Sequence, residues 1–95
     1  MAVRLVVTII AAPGKGNELA QAYRSRAAEC AQEPGCEQFE AFQSVSNPDT
    51  LVLLERWADA AALKTHAALN ATRPPLLPQL RVSSEREDYE YNRTR

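Results

Sequence analysis

The 95-residue sequence has one histidine, two cysteines, one tryptophan, three glycines and no excess of either charge. Each scarcity excludes something. One histidine and two separated cysteines do not compose a zinc or iron site. Cys30 and Cys36 are too few for a disulfide scaffold and are not a Cys-x-x-Cys pair, so they read as two buried thiols on either side of a helix stop. Eleven Lys and Arg against twelve Asp and Glu leave a formal net charge of −1. With the signs interspersed there is no basic stripe for phosphates or an anionic membrane, and neither nucleic acid nor membrane is an expected partner. No apolar run approaches the roughly twenty residues that span a bilayer, and the apolar start from Val3 to Ala12 lacks the other sections of a signal peptide. A cytoplasmic location is the expectation. Gly14-Lys15-Gly16-Asn17-Glu18-Leu19 opens like a dinucleotide fingerprint but has leucine for the third glycine, and its strand does not lead into a parallel βαβ unit. No serine has a context for nucleophilic catalysis. Without a site for flavin, nicotinamide or metal, any oxidation has to draw its electrons from the substrate, with dioxygen as co-substrate.

What is present is a regular alternation of strand and helix patterns. The chain reads as one domain over 1–95, small enough that a homodimer is the expected state. Val3, Leu5, Val7 and Ile9 share one side of a first strand whose other side is also half apolar, as suits a central strand covered on both faces. Pro13 to Gly16 breaks it. A helix then runs from about Asn17 to Gln32 with Leu19, Tyr23, Ala27, Cys30 and Ala31 as its buried stripe, and Pro34-Gly35 ends it. Cys36 to Ser44 is a second strand, and the turn Ser46-Asn47-Pro48-Asp49 joins it in a hairpin to a third, Leu51 to Trp57. Asp59 caps a second helix that fades near Asn70, with Leu63, His66, Ala67 and Asn70 on one face. Leu76, Leu77 and Leu80 pack as a short extra turn, and Glu85 to Asn92 forms a last, polar edge strand. The order is βαββαβ, an α+β ferredoxin-like fold with two helices on one face of a four-stranded antiparallel sheet. The bare face, with Val6 and Ile10, is most simply covered by the sheet of a second copy.

Three segments resemble one family. Pro13-Gly14-Lys15 opens the first helix, Glu33-Pro34-Gly35-Cys36 leads into the second strand, and Leu53-Leu54-Glu55-Arg56-Trp57 is followed by His66 nine residues past the tryptophan. Over roughly Val3 to Asn70 the chain is similar to the antibiotic biosynthesis monooxygenase (ABM) domains. The resemblance implies a homodimer forming a dimeric α+β barrel, with a pocket in each subunit between sheet and helices. It also implies chemistry without a cofactor, such as oxygenation of polycyclic phenols to quinones, or isomerisation of small molecules. The haem-degrading branch is a poor match, because the first strand has no asparagine and no histidine follows His66. Relatives often continue past the histidine with serine, proline and a second ring, whereas Ala67-Ala68-Leu69 follows here.

The candidate catalytic residues are His66 and Glu55. An imidazole can take a phenolic proton and leave the electron-rich phenolate that reacts with dioxygen. Alternatively His66 only bonds a backbone carbonyl or caps the pocket. Glu55, on the face of Leu51, Leu53 and Trp57, needs a partner if buried. That partner is His66, a substrate hydroxyl, or a cation such as Arg4 or Arg56. Trp57 stacks on a flat aromatic substrate or serves as core, and Tyr23 bonds a ligand or closes the core. Asn70 and Arg73 offer donors to an oxyanion, while Phe39 and Leu63 shape the pocket. The leading expectation is a cofactor-independent monooxygenase acting on a quinol or polyketide phenol. A non-catalytic small-ligand-binding dimer and a cofactor-free isomerase are the alternatives.

Overall fold

The computed structural model describes residues 1–75 and 78–91. Its elements are β1 (Ala2–Ala11), α1 (Gly16–Ala31), β2 (Cys36–Gln43), β3 (Thr50–Trp57), α2 (Ala60–Asn70), a 3₁₀ turn (Pro78–Leu80) and β4 (Arg81–Tyr91). The four strands form one antiparallel sheet in the order β2-β3-β1-β4, the expected ferredoxin-like arrangement. β1 is central, with Leu5 opposite Glu55 of β3 on one side and Asp88 of β4 on the other. Because the side-chain period is two, this register puts Phe39, Leu53, Glu55, Leu5, Val7, Ser84 and Arg86 on a single face.

That face carries the core. Ile9, Leu19, Leu51, Cys30 and Trp57 are fully buried, with Val3, Leu5, Tyr23, Phe39 and Leu53 nearly so. Each large apolar side chain taken from water in this way contributes roughly 1.5–3 kcal/mol. Ala31, expected in the buried stripe of α1, is exposed. It lies about 100° round the helix from Cys30, at the helix end. Cys30 is buried as expected, whereas Cys36 is half-buried.

Two glycines set the approach of the helices. A Cβ on Gly16 would lie 1.8 Å from the carbonyl oxygen of Pro48, so α1 starts in contact with the β2–β3 turn only because that side chain is missing. The Asp49 carboxylate fixes the same junction, accepting from the backbone N–H groups of Gly14 and Gly16 at 3.0 and 2.9 Å. Gly35 takes φ +80°, a left-handed conformation in the turn between α1 and β2, and its α-carbon faces Ala62 of α2. Asp59 caps α2 as expected, accepting from Ala62 N–H at 2.8 Å.

β4 begins at Arg81, four residues earlier than the alternation from Glu85 indicated, because it is held by its ladder to β1 and not by a buried stripe. Every side chain from Arg81 to Glu90 is exposed. Of the extra turn expected over Leu76, Leu77 and Leu80, the first two residues lie outside the described residues, as does Asn92; Leu80 is buried. α1 packs mainly on β2 and α2 touches β1 and β3, so the helix-side surface of β4 is left uncovered. That offset creates a cavity over β1 and β4.

Candidate functional site

The cavity has a volume of about 780 Å³, within the range of small-molecule sites. Leu5, Val7, Ile9 and Leu53 line it from the sheet, Leu63, Ala67 and Asn70 from α2, and Tyr23 and Arg26 from α1. Glu55 and His66 both face it. Of the residues singled out from the sequence, Tyr23, Phe39, Glu55, Leu63, His66, Asn70 and Arg73 are brought together in its lining.

Trp57 is not. It is fully buried, with its ring centroid 4.5 Å from that of His66 and the planes inclined by 33°. The indole therefore stacks on the histidine and supports it from behind, so that of the two roles open to Trp57 it takes the one in the core. Phe39 flanks the same imidazole with centroids 5.8 Å apart.

The carboxylate that holds His66 also differs from expectation. Nδ1 lies 2.9 Å from Oε1 of Glu33, and the other oxygen of Glu33 accepts from Arg73 Nη1 at 2.8 Å. Arg73 Nε lies 2.8 Å from Glu29. Burial alone would raise the Glu33 carboxyl, but the hydrogen bonds and charges of Arg73 and His66 outweigh it and hold the group below the usual carboxylate range. Glu33 is therefore ionised at neutral pH. Beside an ionised acceptor Nδ1 carries the proton, and Nε2 has no partner among the described residues.

Glu55 does not bond His66, nor does it pair with Arg4 or Arg56. It accepts from Trp57 Nε1 at 3.1 Å, while Arg4 reaches Gln38 and Arg56 pairs with Glu37, both on the opposite sheet face. Burial pushes the Glu55 carboxyl up, opposed by the Trp57 hydrogen bond and the charges of His66 and Arg86. Burial likewise raises the Tyr23 hydroxyl, against the pull of the Arg81 charge. Arg73 is taken up by Glu33 and Glu29, with Asn70 Oδ1 3.3 Å away, so it braces the site where an oxyanion donor had been expected.

Cys30, Glu33 and His66 each bring one potential ligand atom to within 4.8 Å of the others. A metal does not fit them. Arg73 Nη1 sits 3.4 Å from Cys30 Sγ and 2.8 Å from Glu33, so a guanidinium already fills the centre, and burial pushes the Cys30 thiol up to about 12, far from the thiolate a metal needs.

Glu33 entered the sequence reading only as the start of a turn. One signal was available, since an acid at a helix C-terminus opposes the helix dipole and needs a cation elsewhere. Arg26, Lys64, Arg81 and Arg86, which also line the cavity, carried no local signal.

The fold and cavity define a small ferredoxin-like α+β domain with a buried, carboxylate-held histidine facing a ligand-sized space. The antibiotic biosynthesis monooxygenase family matches residues 2–73, and the chain belongs to that family. Among solved structures it is similar to the protein PA3566 from Pseudomonas aeruginosa, at 26% identity and a TM-score of 0.81, covering 97% of this chain and 95% of that one. A conserved protein from Methanosarcina mazei Go1 is alike at 27% identity and TM-score 0.81, covering 97% and 94%. SnoaB from Streptomyces nogalater, described as a cofactor-independent oxygenase, shares the fold at 21% identity and TM-score 0.76, covering 98% and 95%. No curated protein matches the chain. None of the described helices is long and apolar enough to cross a membrane.

Proposed function

We propose that this protein is a cofactor-independent monooxygenase whose cavity takes an electron-rich phenol or quinol and whose His66 accepts the phenolic proton. The observation that carries the reading is the Glu33–His66 contact of 2.9 Å on a ring stacked over Trp57. It aims Nδ1 at a carboxylate, which leaves Nε2 as the ring nitrogen able to take a proton and provides a negative charge to stabilise the imidazolium that forms. The Glu55 oxygen not engaged by Trp57 meets a second substrate hydroxyl. Leu5, Val7 and Leu53 exclude water from the ring system.

The chemistry balances without an external reductant. A phenol and dioxygen give a quinone and water, one oxygen atom entering the ring and the other leaving as water, with all four electrons drawn from the substrate. Deprotonation raises the energy of those electrons, and that is the step the site accelerates.

The protein acts as a homodimer. Ile10, Phe42 and Tyr89 expose apolar surface on the sheet face opposite the helices, with Val6, Val52 and Leu54 half-buried between them. A second sheet is the partner of matching shape. The test of function is oxygen uptake by the purified protein, treated with chelator, against a panel of reduced quinones and polycyclic phenols. Protein-dependent uptake supports an oxygenase. Ligand binding with no uptake across the panel supports a binding protein or an isomerase instead.

A further inference from the structure

The protein as a whole is nearly neutral, but the lining of its cavity is not. Arg26, Lys64, Arg73, Arg81 and Arg86 face it, against Glu55 as its one acidic residue. Three of the five cations are already answered. Arg73 is held by Glu33 and Glu29, Arg86 by Asp88, and Arg26 lies 3.7 Å from Glu29 while donating to the Pro74 carbonyl.

Arg81 and Lys64 have no carboxylate partner among the described residues. Arg81 instead lines the cavity together with Tyr23, whose ring is buried against the core. The Tyr23 hydroxyl donates to no acceptor among the described residues, which leaves its O–H available to a ligand. A guanidinium and a phenolic O–H thus line the same cavity, two kinds of donor with no carboxylate to receive them among the described residues. Opposite them the sheet offers Leu5, Val7 and Leu53, an apolar floor for a flat ring system.

We propose that the cavity selects an anionic aromatic ligand, a fused ring bearing a carboxylate, with the carboxylate received by Arg81 and the Tyr23 hydroxyl and supported by the charge of Lys64. This names the ligand class of the cavity and rests on its being the substrate site, though not on reaction with dioxygen. The carboxylate fixes the ring by one end, so that a hydroxyl at the other end is presented to His66.

The test uses two probes that differ only in the charged group, 1,4-dihydroxy-2-naphthoate and 1,4-dihydroxynaphthalene, titrated under anaerobic conditions and followed by Trp57 fluorescence and calorimetry. A charge-assisted anchor of this kind is worth about tenfold or more in affinity. The acid is expected to bind at least about tenfold tighter than the neutral quinol, with the preference weakening as salt is raised. Arg81→Gln, at an exposed strand position, is expected to abolish the preference by weakening binding of the acid at least about tenfold more than binding of the neutral quinol. Tyr23→Phe keeps the ring packing and is expected to reduce the preference severalfold. Equal binding of the two probes, a preference that survives Arg81→Gln, or no binding of either overturns the proposal. Absence of oxygen uptake with the preference intact counts against the oxygenase reading alone.

Discussion

Nδ1 of His66 lies 2.9 Å from Oε1 of Glu33, a residue thirty-three positions earlier in the turn that follows α1, and this contact ties that turn to α2. Glu33 is in turn held by Arg73 from just beyond α2. The imidazole is thus fixed by a carboxylate that is itself fixed, which sets its tautomer as well as its orientation.

The ion cluster has a stability signature. The Glu33 carboxyl is depressed in the folded state from its ordinary value of 4.5, so its contribution is fully present above that value and is lost as pH falls through the lower folded one. Glu33→Gln is expected to melt at a lower temperature than wild type at neutral pH, with the gap closing as pH is lowered below about 4.5. A gap that stays constant down to pH 2–3 contradicts the ionised role given to Glu33.

Glu55 predicts the opposite slope. Burial raises its carboxyl, so the folded protein is favoured when the group is protonated and loses that advantage as pH rises through the folded value. Glu55→Gln removes the buried charge and keeps an oxygen to accept from Trp57 Nε1. Thermal melts at pH 7–8 are expected to show the variant more stable by on the order of 1 kcal/mol, a few degrees in a domain of this size. A loss of stability sinks this account of Glu55, whereas reduced turnover alongside the gain supports its contact with a substrate hydroxyl.

Removing the imidazole separates binding from chemistry. His66→Ala is expected to lower the oxygen-uptake kcat by about 100-fold or more, the usual worth of a positioned base, with ligand affinity within a few-fold of wild type. Turnover that is unchanged removes His66 from the mechanism. The indole face uncovered by the substitution gives a control, since Trp57 fluorescence should shift as its stacking partner is lost.

Dimerisation is open to a single surface change. Phe42, 47% exposed, stands on the outer sheet face, and Phe42→Glu places a charge there without touching the core. Sedimentation should find wild type as a dimer and the variant as a monomer at micromolar concentration. A variant that remains dimeric places the interface elsewhere.

The order of elements and the face each strand buries were readable because they rest on period-two and period-3.6 patterns and on turn residues with fixed conformational preferences. Gly35 and Asp59 act in the structure as their residue types dictate. The pairing inside the site was not readable. Glu55 and His66 are close in sequence and invited a bond, yet the strand register aims Glu55 at the Trp57 indole, and the carboxylate that reaches His66 comes from the turn after α1. Which of two acids meets one imidazole depends on helix packing over several ångströms, a quantity no local pattern carries. Arg81 was hidden for a related reason, because a strand held only by its backbone ladder has no side-chain periodicity to announce it.

β4 owes its place to hydrogen bonds with β1 and contributes no described side chain to the core, yet Arg81, Ser84 and Arg86 form one wall of the cavity. One wall of the cavity is therefore built from side chains that take no part in the core. Substitutions along this one strand can change what the cavity accepts at little cost in stability, so a single scaffold can be turned to new substrates by altering its edge.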